Sequence, residues 1–139
     1  MNTGQSEGTI LLRNTMAYDR EHADEFEQAI RNAVSFAEKN APQLMVQVFI
    51  DREKSLCYSF QLYANSEAIL RHWEVSDPHI TEVMRYCTVQ SMEVYGSPSE
   101  TVRDGILRSV GSDKVTFTPG LVGYHHLGNL TDQERRNTL

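Results

Sequence analysis

Apolar positions along this chain switch repeatedly between a two-residue and a three-to-four-residue rhythm, and each switch marks a change of element. Thr9-Ile10-Leu11-Leu12-Arg13-Asn14 is an apolar run of strand length. From Asp19 to about Lys39, Phe26, Ile30, Ala33, Val34 and Ala37 recur at helical spacing and build one stripe. Asp19 is the expected N-cap, with Glu21 and Asp24 suited to the positive end of the helix dipole and Pro42 marking the exit. Alternation then returns: Leu44, Val46, Val48 and Ile50, followed after Asp51-Arg52-Glu53-Lys54 by Leu56, Tyr58, Phe60 and Leu62, predicts a hairpin with a charged turn.

Two short helices are expected next. Asn65 or Ser66 caps the first, which carries His72 and Trp73; Asp77 caps the second, with Pro78 at its first position and Ile80, Val83, Met84 and Cys87 on its apolar face. Thr88 to Tyr95 reads as a strand. Ser97-Pro98-Ser99-Glu100 then offers a Ser-x-x-Glu capping box for a helix with Val102, Ile106 and Val110 as its stripe and Gly111 as its stop. Ser112 to Thr118 is a connector or short strand, Pro119-Gly120 a turn, and Leu121 to Leu127 a last strand. Residues 8–127 make up one domain on this reading, between loose termini at 1–7 and 128–139. The order is that of a ferredoxin-like split βαβ arrangement, an α+β fold with helices on one sheet face.

The second face of that sheet changes the picture. Strands Met45 to Phe49 and Cys57 to Tyr63 carry apolar or aromatic groups on both alternating sets, so neither face is designed for water. A second sheet from an identical subunit covers it most economically, which predicts a homodimer with a barrel-like core.

At 139 residues and 40% hydrophobic content the chain suits a single core, and its net charge of −6 argues against a nucleic-acid partner. The start lacks a basic, apolar leader and no stretch approaches spanning length, so a cytoplasmic location without membrane association is expected. Cys57 and Cys87 lack CxxC spacing and read as buried free thiols. His125 and His126 are neighbours on an expected strand and point to opposite faces, and no metal-binding or phosphate-binding motif occurs, so no metal is expected.

The richest stretch is 62–98, which holds the only Trp, two of the five His and several polar groups. There Phe60-Gln61-Leu62-Tyr63, Ala68, His72, Ser76, His79 and Met92-Glu93-Val94-Tyr95-Gly96 together resemble the antibiotic biosynthesis monooxygenase family of dimeric α/β barrels. The resemblance spans about residues 8 to 127 in element order, with residue matches confined to about 60 to 98. It implies a pocket between the sheet and the helices of residues 66 to 87, in which a small aromatic or quinol-like compound is oxidised with O2, without a cofactor.

Such chemistry needs a base and a dry site that holds an anion. His72 or His79 would take the proton, Trp73 would stack on the ring, Asn14 or Asn65 would orient oxygen atoms, Arg71 or Arg85 would stabilise charge, and Tyr86 would complete the substrate-binding set. Against these roles stand ordinary ones: Asn65 as a cap, Trp73 as core, the arginines as surface charges. His72 and Trp73 also point about 100° apart on a helix, so only one of them faces the pocket centre. Two alternatives remain open: a non-catalytic small-molecule-binding or stress-response barrel, and a haem-handling or haem-degrading protein, suggested by Asn14 and Trp73 on the elements where such relatives carry Asn and Trp, although their His lies on a following helix further past the Trp than His79, which is only six residues on.

Overall fold

The structure is a computed structural model that describes residues 8–127. The loose termini expected at 1–7 and 128–139 lie outside the described residues. Five strands form one mixed sheet: β1 (Ile10–Tyr18), β2 (Met45–Asp51), β3 (Leu56–Tyr63), β4 (Cys87–Tyr95) and β5 (Val115–Thr118), in the order β2-β3-β1-β4-β5. All pairs are antiparallel except β4 with β5. Three helices accompany them: α1 (Ala23–Asn40), α2 (Ser66–Met84) and α3 (Glu100–Val110). This is the α+β, ferredoxin-like arrangement expected from the element order. The sheet does not close on itself within one chain.

Local chemistry explains most boundaries. Asp19 caps a 3₁₀ turn, Arg20–His22, by accepting from Glu21 N–H at 3.0 Å, and α1 begins only after it. Asn65 caps α2, its Oδ1 accepting from Ala68 N–H at 2.9 Å. The N-cap of α3 is Ser99 rather than Ser97: Ser99 Oγ accepts from Val102 N–H, and the Ser99 N–H donates to Ser66 Oγ at 2.8 Å, tying the starts of α2 and α3 together. Pro98 therefore precedes the helix. Gly111 ends it at φ +103°, a backbone region open to glycine at little cost.

Two further expectations fail. The two short helices are a single helix, α2, which runs through Pro78. Pro78 is exposed, so water reaches the carbonyl left without its intrahelical donor, and packing of α2 against α1 and the sheet outweighs the breaker. Second, no strand forms over 121–127. Leu121, Val122 and Tyr124 are 97%, 92% and 87% exposed, with no neighbouring strand to pair with among the described residues. His125 and His126 accordingly lie on an exposed loop rather than on a strand.

Register sorts the sheet into two faces. Ile10, Leu12, Asn14, Met16 and Tyr18 of β1 share the helix-covered face with Cys57, Ser59, Gln61 and Tyr63 of β3 and with Val46, Val48 and Ile50 of β2. The more apolar set of β3, Leu56, Tyr58, Phe60 and Leu62, points the other way. On that outer face Phe60 meets Phe49 edge-on at 5.7 Å, and Arg13 holds Glu93 through two hydrogen bonds of 2.6 and 2.8 Å. A bulge interrupts the β1–β4 pairing, leaving Gln90 between the Thr15–Ser91 and Met16–Val89 pairs.

The covered face carries two separate apolar clusters. One gathers Ile10, Leu12, Tyr63, Ile69, Val94, Val102 and Ile106; the other Met16, Tyr18, Phe26, Cys57 and Val83. Trp73 packs on the first. Both cysteines are free; burial pushes the Cys57 thiol up to about 12 and that of Cys87 to about 11.

Trp73 is seated on α3 through buried Gly105, where a Cβ would lie 2.8 Å from Trp73 Cζ3 and 3.0 Å from Cη2. Overpacking of this kind costs about 1–3 kcal/mol against a gain of about 1 kcal/mol for alanine over glycine in a helix. Gly105→Ala is therefore expected to lower the melting temperature by a few degrees rather than raise it, and a thermal melt that moves upward would refute this seating of the indole.

Candidate active site

Between the two clusters the covered face turns polar. Asn14 on β1 pairs with Ser59 on β3, and Gln61 follows on the same face two residues on, about 7 Å along the strand. α1 and α2 cross above this row and do not fill the space beneath them. The result is a cavity of about 120 Å³, walled by Ile30, Ala33, Val34 and Ala37 of α1, by Val46 and Val48 of β2, and by His72, Ser76, His79, Ile80 and Val83 of α2. Its volume approaches that of cavities that admit one benzene ring, about 150 Å³.

The polar atoms are organised. Gln43, in the α1–β2 connection, donates through Nε2 to Gln61 Oε1 at 3.0 Å and to Tyr63 Oη at 3.2 Å. Tyr63 Oη donates to Gln61 Oε1, and Gln61 Nε2 donates to Ser59 Oγ at 3.1 Å. Tyr63 is fully buried, and burial raises its pKa, so the phenol stays neutral and serves the network as a hydrogen-bond group. Gln43 Oε1 and Asn14 Oδ1, both buried, receive no hydrogen bond.

His72 and Ser76 stand one helical turn apart, with Nδ1 3.0 Å from Oγ. That contact engages Nδ1 and leaves Nε2 as the second nitrogen of the ring. Burial lowers the His72 pKa below its ordinary value, so the imidazole is neutral at pH 7. His79 also lines the cavity, its ring 4.5 Å from that of Phe36. No Lys, Arg, Asp or Glu lines this space.

The structure thus brings together Asn14, His72 and His79 and disperses the other candidates. Asn65 is the cap of α2. Trp73 faces α3, about a third of a turn from His72, as adjacent helical positions require. Arg71 and Arg85 are exposed and lie near Glu74 and Glu82 at 3.2 and 3.8 Å, while Tyr86 reaches Glu82 at 3.4 Å and stands beside His22. None of these lines the cavity. The cavity is bounded by α1 as well as by α2, beyond the wall expected from 66–87.

Sequence reasoning did not single out Gln43, Ser59, Gln61 or Ser76 as site residues. For Ser59 and Gln61 the signal was parity: within β3 they share a face with Cys57 and Tyr63, opposite the obvious apolar set. Among the described residues no three His, Cys, Asp or Glu side chains converge as metal ligands, and no helix is long and apolar enough to cross a membrane.

No family model and no curated protein matches the chain at the sequence level. Solved structures match its backbone. The crystal structure of MupZ from Pseudomonas fluorescens superposes with a TM-score of 0.67 at 13% identity, covering 85% of this chain and 94% of that one. A candidate antibiotic biosynthesis monooxygenase from Caulobacter crescentus gives 0.56 at 18% identity over 67% and 91% of the two chains. SnoaB from Streptomyces nogalater, a cofactor-independent oxygenase, gives 0.53 at 14% identity over 66% and 95%. The chain has the antibiotic biosynthesis monooxygenase fold. At these identities the likeness is one of fold, and the cavity beneath α1 and α2 is where this version of the fold gathers its buried polar side chains.

The depressed His72 pKa carries a sign. The unfolded chain takes up a proton near pH 6.5 while the folded one resists it, so this contribution to stability is complete above that value and is lost as pH falls below it, by at most about 1.4 kcal/mol per pH unit. Denaturant melts from pH 7.5 to 5 are expected to show the decline, and His72→Gln to flatten it. An equal decline in both proteins would assign it to other groups.

Proposed function

We propose that this protein is a monooxygenase that oxidises a small electron-rich aromatic compound with O2, with no cofactor, and that it works as a homodimer. The observation that carries the reading is His72: a neutral imidazole, held by Ser76, facing an uncharged cavity of ring size. The existence of a cofactor-independent oxygenase on the same fold supports it.

In the proposed reaction a ring hydroxyl gives its proton to His72, and the imidazolium remains as the counter-charge of the ring anion in a site with little water. The anion is electron-rich enough to pass an electron to O2. The two radicals recombine with a new C–O bond at a ring carbon conjugated to the ionised oxygen. Loss of that carbon's hydrogen and cleavage of the O–O bond, with protons returned through His72, convert the C–H carbon to a carbonyl and release one water. One O2 is consumed for each ring oxidised: one oxygen atom enters the product and the other leaves as water. Ser59 and Asn14 orient the ring oxygen atoms.

The outer sheet face supports the dimer. Leu56, Tyr58, Phe60 and Leu62, with Phe49 and Tyr95 at 54% and 41% exposure, form an apolar surface that an identical sheet would cover. Phe60→Asp is expected to shift the species seen by light scattering from dimer to monomer; a wild-type protein already monomeric at micromolar concentration would remove the dimer from the proposal.

His72→Asn should abolish oxygen uptake with a turned-over phenol while leaving ligand binding and the melting temperature close to wild type. The acid limb of kcat/KM reports the base of the free enzyme and is expected below pH 6.5, in the direction burial moves His72. Uptake that survives the substitution, or a limb above pH 6.5, would transfer the role to another group.

A further inference from the structure

β2 is the edge of the sheet: it pairs with β3 on one side and, among the described residues, with no strand on the other. Met45 to Ile50 carries neither a charge nor a proline, the devices that ordinarily keep an open edge from pairing with another chain. Between α1 and this strand runs an open groove of about 720 Å³, lined by Ile30, Val34, Val46, Val48 and Ile50 and by the Glu27–Arg52 ion pair. Gln47, from the opposite face of β2, lines it too, so the groove opens past the strand's own edge. Unpaired backbone groups beside an apolar trough are a template for one more strand.

The same sequence holds a strand without a sheet. Leu121, Val122 and Tyr124 follow β5 almost fully exposed, in a stretch, 119–127, that contains no Lys, Arg, Asp or Glu. Their own β2 is out of reach. A strand added outside β2 lies five spacings from β5, about 24 Å, whereas the chain from Thr118 to Leu121 spans at most about 11 Å. A second copy has no such limit. We infer that residues 121–124 are an exchanged arm: they pair with the β2 edge of a second copy, Val122 and Tyr124 entering its α1–β2 groove and Leu121 turned outward beside Phe49. This deepens the homodimer of the proposed function and rests on it, while the oxygen chemistry plays no part. The area suffices. Tyr124 offers about 200 Å² and Leu121 and Val122 about 100 Å² each, roughly 400 Å² per arm. Doubled for the surface covered, and again for the symmetry-related arm, this reaches about 1,600 Å², the size of a stable interface. Two-fold symmetry gives each copy one arm and one edge, so the exchange closes and no β2 edge stays open to a third chain.

The test is sedimentation velocity of the full chain over a dilution series, wild type against Val122→Asp combined with Tyr124→Asp. Both side chains are exposed in the single chain, so the substitutions leave its fold intact, which circular dichroism checks. The dimer dissociation constant is expected to rise at least about tenfold, the desolvation cost of two buried carboxylates. An unchanged constant overturns the arm and leaves the sheet-face dimer standing, whereas a wild type monomeric at micromolar concentration overturns both. Placement is read by photo-crosslinking with Tyr124→p-benzoylphenylalanine in a mixture of isotopically light and heavy chains. Irradiation is expected to join position 124 of one chain to peptides from 27–38 or 45–52 of the other. Adducts confined to the same chain or to another segment of the second copy, or no adduct at all, sink the inference.

Discussion

The constraint on which this structure depends is the polar row Asn14–Ser59–Gln61 laid across the middle of a sheet face that the helices must cover. A sheet face under two helices is ordinarily apolar from end to end. Here it is apolar at both ends and polar between, and the core divides into two clusters accordingly. The helices cannot press onto amides and hydroxyls as they press onto Ile10 or Met16. Space beneath α1 and α2 follows from the residues on the strands.

Holding such a row inside a protein requires that its atoms satisfy one another. Gln61 does most of this, accepting from Gln43 and Tyr63 and donating to Ser59. Tyr63 joins the polar row to the first apolar cluster, ring on one side and hydroxyl on the other. The β1–β4 bulge falls beside this row, between Thr15 and Met16, where a local change of strand twist alters how Asn14 is presented. Arg13 and Glu93 brace the opposite face of the same two strands.

Much of the fold was legible because the sequence states its own boundaries. Periodicity placed α1, the hairpin, β4 and α3, and Asn65 and Gly111 are read as caps from residue type alone. What escaped was decided by packing. Ser76-Asp77-Pro78 carries every local mark of a helix start, yet contacts with α1 and the sheet keep α2 whole. Leu121 to Leu127 has the composition of a strand but no neighbour in the chain to pair with. At the site, His72, His79 and Asn14 were visible as polar residues on elements that face one another, whereas Trp73 drew attention by being unique and belongs to the packing against α3. Ser59 and Gln61 were hidden by a more apolar alternating set on the same strand, which faces outward; Gln43 lay in a connection with no pattern to mark it.

The two cysteines lend the molecule a further property. A thiol reacts with peroxide and other reduced oxygen species as its thiolate, and burial pushes the Cys57 thiol up to about 12 and that of Cys87 to about 11. Cys57 lies on the covered sheet face, one alternation from Ser59 at the cavity. Fully buried, its sulfur is held in the protonated form that oxidants attack most slowly. One and the same penalty on the charged form thus raises the pKa of the Cys57 thiol and lowers that of the His72 imidazolium.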